Sequence, residues 1–283
     1  MKNKVIRIAF YGKGGIGKST VASNIAASLS NKGLKVLYIG CDPKSDSTRN
    51  LIGFKIPTVL EIMSKQQEIN KSDILFKGFK DVYCIEAGGP TPGTGCAGMG
   101  ISIMAEEVER IGILDEDWDA IIYDVLGDVV CGGFSIPIRK HFVDKVYVVS
   151  STELMSLYAA NNIMKGLNEL YLEKPILYGI IHNKCSGSSS IEQIKEFGKK
   201  TNTNIIYSIK VRKEIRMAEC QRMTTIEGYP LGEACRDFSN LAEKILESNS
   251  TTVPTPLTDK EIDELGLQIM QEELHQLMQE EDI

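Results

Sequence analysis

Nine residues near the start of the sequence have the types and spacing of a loop that binds phosphate. Residues 12–20 contain the pattern G-x-x-x-x-G-K-S and follow an apolar run over residues 5–11. Glycines let backbone N–H groups converge on phosphate oxygens, and a following helix points its positive end at them. Lys18 can then reach the outer phosphates, and the Ser19 hydroxyl can ligate Mg²⁺. The candidate phosphate-binding residues here are Gly12, Lys13, Gly14, Gly15, Ile16, Gly17, Lys18, Ser19 and Thr20.

A second lysine, Lys13, lies inside this loop, where a simple phosphate loop needs none. It is too near the turn to fold back easily on its own phosphates, but it could reach a nucleotide on a facing subunit. A group of dimeric ATPases shares this form of the loop. We therefore predict a catalytic role for Lys13 across a dimer, with an exposed surface lysine as the alternative.

Carboxylates follow two later apolar runs of the sequence. Asp42, Lys44 and Asp46 come after the run at 35–40, and Asp124 ends the run that begins at 120. A nucleotide-sensing loop needs groups that contact a γ-phosphate, Mg²⁺ or attacking water, and a strand-ending acid is the usual Mg²⁺-side partner of a phosphate loop. Asp128, four residues further on, could hold or deprotonate the attacking water. For residues 41–48 the alternative is a polar turn that caps the next helix.

Two cysteines, Cys96 and Cys131, are set among glycines after separate predicted strands. They could form a disulfide, remain inert thiols or bind a metal. Since neither belongs to a C-x-x-C pair, a complete four-thiolate site would need two chains related by a two-fold axis. Such a site holds Zn²⁺ or an iron–sulfur cluster, and spacing alone does not separate them. Free glycine N–H groups favour a cluster, whose sulfurs accept hydrogen bonds.

The elements that must position these residues form an alternating pattern. Continuous apolar runs lie at 5–11, 35–40, 82–85, 120–123, 145–149, 176–181 and 204–207, with helical stretches at about 101–111, 153–171, 190–200 and 232–247. Unbroken apolar runs are typical of strands buried on both faces. The pattern predicts a single doubly wound, mostly parallel α/β sheet whose functional loops lie at the carboxyl ends of its strands. We expect residues 1–250 to form this domain and residues 251–283 an extension with an acidic amphipathic helix.

Composition limits which partners and which cellular location we expect for the chain. Its 283 residues carry a net charge of −6, and no long basic tract appears, which argues against nucleic acid as a partner. We find no signal peptide and no apolar run near the length that crosses a bilayer, so we expect a cytoplasmic protein without a membrane contact. The other five cysteines are interpreted as small, partly buried apolar side chains: Cys41, Cys84, Cys185, Cys220 and Cys235.

These motifs together resemble the nitrogenase iron protein family, which includes nitrogenase-like reductases. The resemblance runs from about residue 5 to about 265, and its two cysteine motifs are its most specific part. It is carried by residues 12–20, 41–49, 88–98, 123–133, 158–162, 222–227 and 253–257.

The resemblance implies a homodimer with one [4Fe–4S] cluster held by Cys96 and Cys131 of both subunits. Each subunit would bind MgATP, and hydrolysis would gate single-electron transfer to a larger nitrogenase or nitrogenase-like component. An upstream donor such as ferredoxin or flavodoxin would reduce the cluster. By the same resemblance Asn183 contacts the adenine, and Glu219 keeps its place in the nucleotide site.

Two departures from the family are visible, and two rival functions stay open. Met99 replaces the usual arginine of the partner-facing surface, and residues 208–213 lack the usual Pro-Arg-Asp, which puts base recognition by that loop in doubt. One rival is an ATPase that positions DNA or division proteins, which leaves the two glycine-flanked cysteines unexplained. The other is a structural dimer bridged by zinc.

Overall fold

One sheet runs through the centre of the molecule, seen in a computed structural model that describes residues 5–90, 98–127, 135–170 and 173–281. Within these residues it has eight strands in the order β3-β4-β2-β5-β1-β6-β7-β8. All neighbours are parallel except β3 and β4, which are antiparallel. The strands are β1 Ile6–Tyr11, β2 Val36–Cys41, β3 Phe76–Lys77, β4 Tyr83–Glu86, β5 Ala120–Val125, β6 Lys145–Ser150, β7 Leu177–Cys185 and β8 Ile205–Lys210.

The central strands are buried on both faces, as their apolar runs predict. Every residue of β2 and of β5 is buried. Helices cover both faces, so the prediction of a doubly wound, mostly parallel sheet is confirmed. The short edge strand β3 was not predicted, because two residues carry no periodicity.

Helices of very different length connect the strands. The longer helices pack in two layers, with α1 and α11 on one face of the sheet and α5, α7, α8 and α12 on the other. The helices of the described chain are α1 Lys18–Asn31, α2 Arg49–Ile52, α3 Val59–Met63, α4 Lys71–Ile74, α5 Gly98–Ile111, α6 Ile136–Arg139, α7 Leu154–Asn168, α8 Ser188–Lys200, α9 Lys213–Cys220, α10 Thr225–Gly228, α11 Glu233–Glu247 and α12 Asp259–Glu281.

The last helix, α12, packs one face on the same core as α7. Ile262, Leu265 and Ile269 are buried there. The contact with α7 is close, because a Cβ at Gly266 would lie 2.3 Å from Leu154 Cδ1. An acidic helix was predicted for this extension, and the domain boundary at residue 250 stays a prediction. Among the residues that the structure describes, no helix combines the length and the apolar character needed to cross a membrane.

The strand register sets functional side chains side by side at one edge of the sheet. Gly40 of β2 pairs with Asp124 of β5 on one side and with Glu86 of β4 on the other. Asp124 pairs in turn with Phe10, near the end of β1. Because paired residues point their side chains to the same face, the two carboxyl groups flank a position that has no side chain. The loops after β1, β2, β4 and β5 therefore leave the sheet together.

Candidate nucleotide site and the segments that lead to the cysteines

The phosphate loop joins β1 to α1 and is supported from below by β7. Gly17 has φ of +91°, a left-handed conformation that favours glycine. A Cβ there would lie only 2.4 Å from Asn183 Nδ2, and the same amide donates to the Ile16 carbonyl at 2.7 Å. Asn183 thus fixes the base of the loop, and its predicted adenine contact stays a prediction.

A buried ion pair lies directly beneath the loop. The Lys18 ammonium is 2.7 Å from Asp124 Oδ1, and the two side chains are 6% and 0% exposed. The Tyr38 hydroxyl donates to the other carboxylate oxygen at 3.2 Å. Burial alone would raise the pKa of Asp124, but the charge and hydrogen bond of Lys18 outweigh it and the pKa is lowered. Asp124 is therefore ionised and holds Lys18 at the floor of the site.

The loop after β2 closes one side of the site. The Asp42 carboxylate is buried and accepts from the Lys44 backbone N–H at 2.8 Å, while the Ser45 N–H donates to the Asp42 carbonyl at 3.0 Å. The predicted residues of this loop and of the phosphate loop enclose a cavity of about 310 Å³. It is lined by Lys13, Gly14, Gly15, Gly17, Lys18, Ser19, Thr20, Asp42, Lys44, Asp46, Leu126 and Glu219.

A second cavity, of about 500 Å³, shares one wall with the first. Glu219, near the end of α9, accepts a hydrogen bond from the Thr20 hydroxyl and lines both cavities. Arg49 and Arg222 also line the second cavity. The two cavities together give room beside the phosphate loop for the rest of a nucleotide.

In residues 208–213, the loop that lacks the family's Pro-Arg-Asp, the arginine Arg212 forms ion pairs with helix α11. Arg212 binds the Asp237 carboxylate at 2.9 Å and also contacts Glu233, both on α11. The guanidinium is thereby directed to α11.

Cys96, Cys131 and Asp128 lie outside the described residues, so their predicted roles stay predictions. The residues on one side of each cysteine are described: Gly127 precedes Cys131, and Gly100 follows Cys96. In both places the main chain packs closely against other main-chain atoms. A Cβ at Gly127 would lie 1.6 Å from the Gly12 carbonyl oxygen. A Cβ at Gly100 would lie 2.0 Å from the Gly88 carbonyl oxygen. Such approaches need glycine, and they place both segments against the nucleotide end of the sheet.

The other cysteines have ordinary surroundings, with one exception. Cys41, Cys84, Cys185 and Cys235 are buried, in keeping with their interpretation as small apolar side chains. Burial raises the pKa of the Cys41 and Cys84 thiols, so they are unreactive. For Cys220 the interpretation is wrong, because it is exposed at the end of α9.

Three residues of the site were not found from the sequence. Tyr38 binds Asp124, and Asn24 links α1 to α10 by accepting from the Thr225 N–H at 2.7 Å. Glu86 ends β4 and is buried beside the loop after β2. An acid at the end of an apolar strand was the signal that selected Asp124, and the same signal marks Glu86.

The parallel sheet, the glycine-rich loop and the buried Lys18–Asp124 pair define a P-loop nucleotide-binding protein. Comparison with known proteins narrows this class. Residues 6–272 match the model of the NifH/frxC family of 4Fe–4S iron–sulfur cluster binding proteins. The chain belongs to this family, so the predicted class, an ATP-hydrolysing iron–sulfur oxidoreductase component, is confirmed.

Curated relatives and solved structures agree with this assignment. The chain is 46% identical to nitrogenase iron protein 2 of Methanothermobacter thermautotrophicus over 259 residues, covering 91% of this chain and 96% of that one. It is 43% identical to nitrogenase iron protein 2 of Paenibacillus durus, covering 93% and 91%.

Two solved structures share the fold alone. The cell division ATPase MinD of Pyrococcus furiosus has a TM-score of 0.66 at 19% identity, covering 86% of this chain and 99% of that one. A ParA family ATPase from Chlorobium tepidum has a TM-score of 0.67 at 20% identity, covering 85% and 99%.

Proposed function

We propose that this chain is an MgATP-dependent reductase that passes single electrons from a [4Fe–4S] cluster to a nitrogenase or nitrogenase-like catalytic partner. ATP hydrolysis would gate the transfer. The observation that carries the proposal is the backbone contact between Gly127 and Gly12. It joins the phosphate loop to the segment that ends at Cys131, four residues further on.

The described residues fit MgATP. Within the described part of the chain, no heavy atom lies within 4 Å of where a Cβ of Gly14 or Gly15 would stand, so this part of the loop is open to a ligand. Ser19 would ligate Mg²⁺. Asp124 holds Lys18, and phosphate oxygens would compete with it for the ammonium. Binding of phosphate would thereby release one carboxylate oxygen of Asp124 beside the metal position.

The cluster would be held between two copies of the chain by Cys96 and Cys131 of each. When bound, it supplies one-electron chemistry at a thiolate-ligated site. In the same dimer Lys13 would reach the nucleotide of the partner subunit, while Asp42 and Asp128 would orient or deprotonate the attacking water. Family membership supports this arrangement.

The proposed docking face for the catalytic partner begins at α5. Met99, in the first turn of α5, is 46% exposed, and it offers a soft apolar contact where the family usually has a cation. Arg139 at the end of α6 is also exposed, and Lys140 next to it binds Glu109 at 2.5 Å. A ferredoxin or flavodoxin is the proposed donor.

The rival function, positioning of DNA or division proteins, rests on likeness of fold. The MinD and ParA structures are at most 20% identical to this chain, while the family match spans residues 6–272. Sequence similarity over nearly the whole chain favours the reductase.

The test compares how fast an iron chelator removes iron from the anaerobic protein without nucleotide, with MgADP and with MgATP. A chelator attacks only molecules whose cluster is accessible, so the rate of iron removal follows the population of that state. Coupling between two sites is typically about 1–3 kcal/mol, and a shift of this size in the population would make removal about 5- to 150-fold faster with MgATP than with MgADP. Asp128→Glu should change that response and keep the cluster. A protein without iron, or equal rates in all three conditions, would contradict the proposal.

A further inference from the structure

Glu86 joins the nucleotide loop to the segment that precedes Cys96. It is the last residue of β4 and is 1% exposed. Its Oε1 accepts a hydrogen bond from the Thr48 backbone N–H at 2.7 Å. Thr48 closes the loop that begins at Asp42, so one side chain bridges the ends of two neighbouring strands.

The second oxygen of this carboxyl group is buried without a partner in the described part of the chain. It fills the space that Gly40 leaves open, because a Cβ at Gly40 would lie 2.2 Å from Glu86 Oε2 and 2.7 Å from Ser47 Cβ. An ionised oxygen in such a place costs more free energy than a protonated one.

The carboxylates around Glu86 also favour its protonated form. Burial, together with the Asp124 and Asp46 carboxylates, raises the pKa of Glu86 to about 8, although hydrogen bonds from the backbone and side chain of Thr48 act to lower it. The other titratable groups that interact with it are Tyr38, Cys41 and Cys84, each with a pKa raised first by burial and therefore neutral. The proton consequently stays on Glu86 at neutral pH.

A second contact runs parallel to this bridge. A Cβ at Gly89 would lie 2.6 Å from Pro43 Cβ, and the Ala87 N–H donates to the Gly40 carbonyl at 2.9 Å. Residues 86–90 are therefore packed directly on the loop that carries Asp42 and Asp46. Displacement of that loop moves the chain that leads to Cys96.

We propose that protonated Glu86 is a positioning residue that holds the nucleotide loop to the segment before Cys96. It forms a route from nucleotide to cluster that is separate from the one between Asp124 and Cys131. This inference rests on the proposed function. It makes the coupling between nucleotide and cluster depend on the protonation of Glu86, because the contact holds while Glu86 is neutral and weakens as Glu86 ionises.

The first test measures protonation through the stability of the nucleotide-free protein. The unfolded chain releases the Glu86 proton near pH 4.5 and the folded chain near pH 8, so folding loses stability as pH rises between these values. Relative to Glu86→Gln, the unfolding equilibrium constant of the wild type should rise about a thousandfold across this window. Parallel pH profiles for the two proteins would overturn the proposal.

The second test measures coupling with the chelation assay at pH 7 and pH 9. The protonated fraction of Glu86 falls roughly tenfold over this range, so the MgATP-to-MgADP rate ratio of the wild type should fall. Glu86→Gln, which keeps an acceptor for Thr48 and stays neutral, should hold the ratio constant. Glu86→Asp is one methylene too short to reach Thr48 and should bring the ratio towards one at both pH values.

A matched control separates this effect from general loss of a glutamate. Glu61 accepts from the Thr58 backbone N–H at 3.1 Å but is exposed, so Glu61→Gln should follow the wild type in both tests. A wild type with no response to nucleotide would refute the proposed function. A responsive wild type matched by Glu86→Asp, or a Gln variant that keeps the wild-type pH dependence of the ratio, would refute the role of Glu86 alone.

Discussion

Substitution of Asp124 by asparagine tests the ion pair beneath the phosphate loop. The Lys18 ammonium, 6% exposed and 2.7 Å from Asp124 Oδ1, would lose its counter-charge in Asp124→Asn. Removing one partner of a buried pair costs about 3–5 kcal/mol, because the other charge stays buried alone. With a urea dependence of about 3 kcal/mol per molar, the unfolding midpoint should fall by about 1–1.7 M.

The assay is urea unfolding of the nucleotide-free protein at neutral pH. Lys18→Met, alone and with Asp124→Asn, completes a cycle that isolates the interaction energy of the pair. The exposed pair Lys32–Glu243, 2.6 Å apart, gives the control, since Glu243→Gln should cost at most about 1 kcal/mol.

The stabilisation that ionised Asp124 provides also depends on pH. The pKa of Asp124 is lowered from 3.8, so its stabilisation is present above that value and is lost as pH falls through the folded pKa. Asp124→Asn should lack this acid-side loss. An Asp124→Asn midpoint equal to that of the wild type would show that the pair does not hold Lys18.

Two further predictions concern residues proposed to act across the dimer. Cys96→Ser and Cys131→Ser should each remove all of the iron, because one shared cluster needs thiolates from both positions, and iron analysis showing near-normal content in either variant would contradict this. Lys13→Gln should abolish ATP turnover while nucleotide still binds, and mixed dimers with Lys18→Ala should regain one working site. Failure of every mixture to regain activity would place Lys13 in the site of its own subunit.

The sequence predicted the sheet well because burial on both faces leaves unbroken apolar runs. Each predicted run became a strand, and the predicted stretch at 232–247 became helix α11. The short helices α2, α3 and α4 were missed, because one turn of helix shows no periodicity. A local cap sets the start of α3, where the Thr58 hydroxyl accepts from the Glu61 N–H at 3.1 Å.

The site was predicted where chemistry is local in sequence and missed where it depends on pairing across the sheet. The phosphate loop and Asp124 carry recognisable residue types at fixed places. The bond between Glu86 and Thr48 joins residues 38 positions apart, and only the strand order brings them together. Tyr38 lies in a predicted apolar strand, and nothing in that run indicates that its hydroxyl binds Asp124.

The contact between Gly127 and Gly12 has a consequence for how such a protein can diverge. It consists of main-chain atoms, since a Cβ at residue 127 would lie 1.6 Å from the carbonyl oxygen of residue 12. A contact of this kind does not depend on the chemistry of surrounding side chains, provided that residue 127 stays glycine. Substitutions on the outer surface can therefore change which protein receives the electron, while the main-chain contact between Gly127 and the phosphate loop is kept.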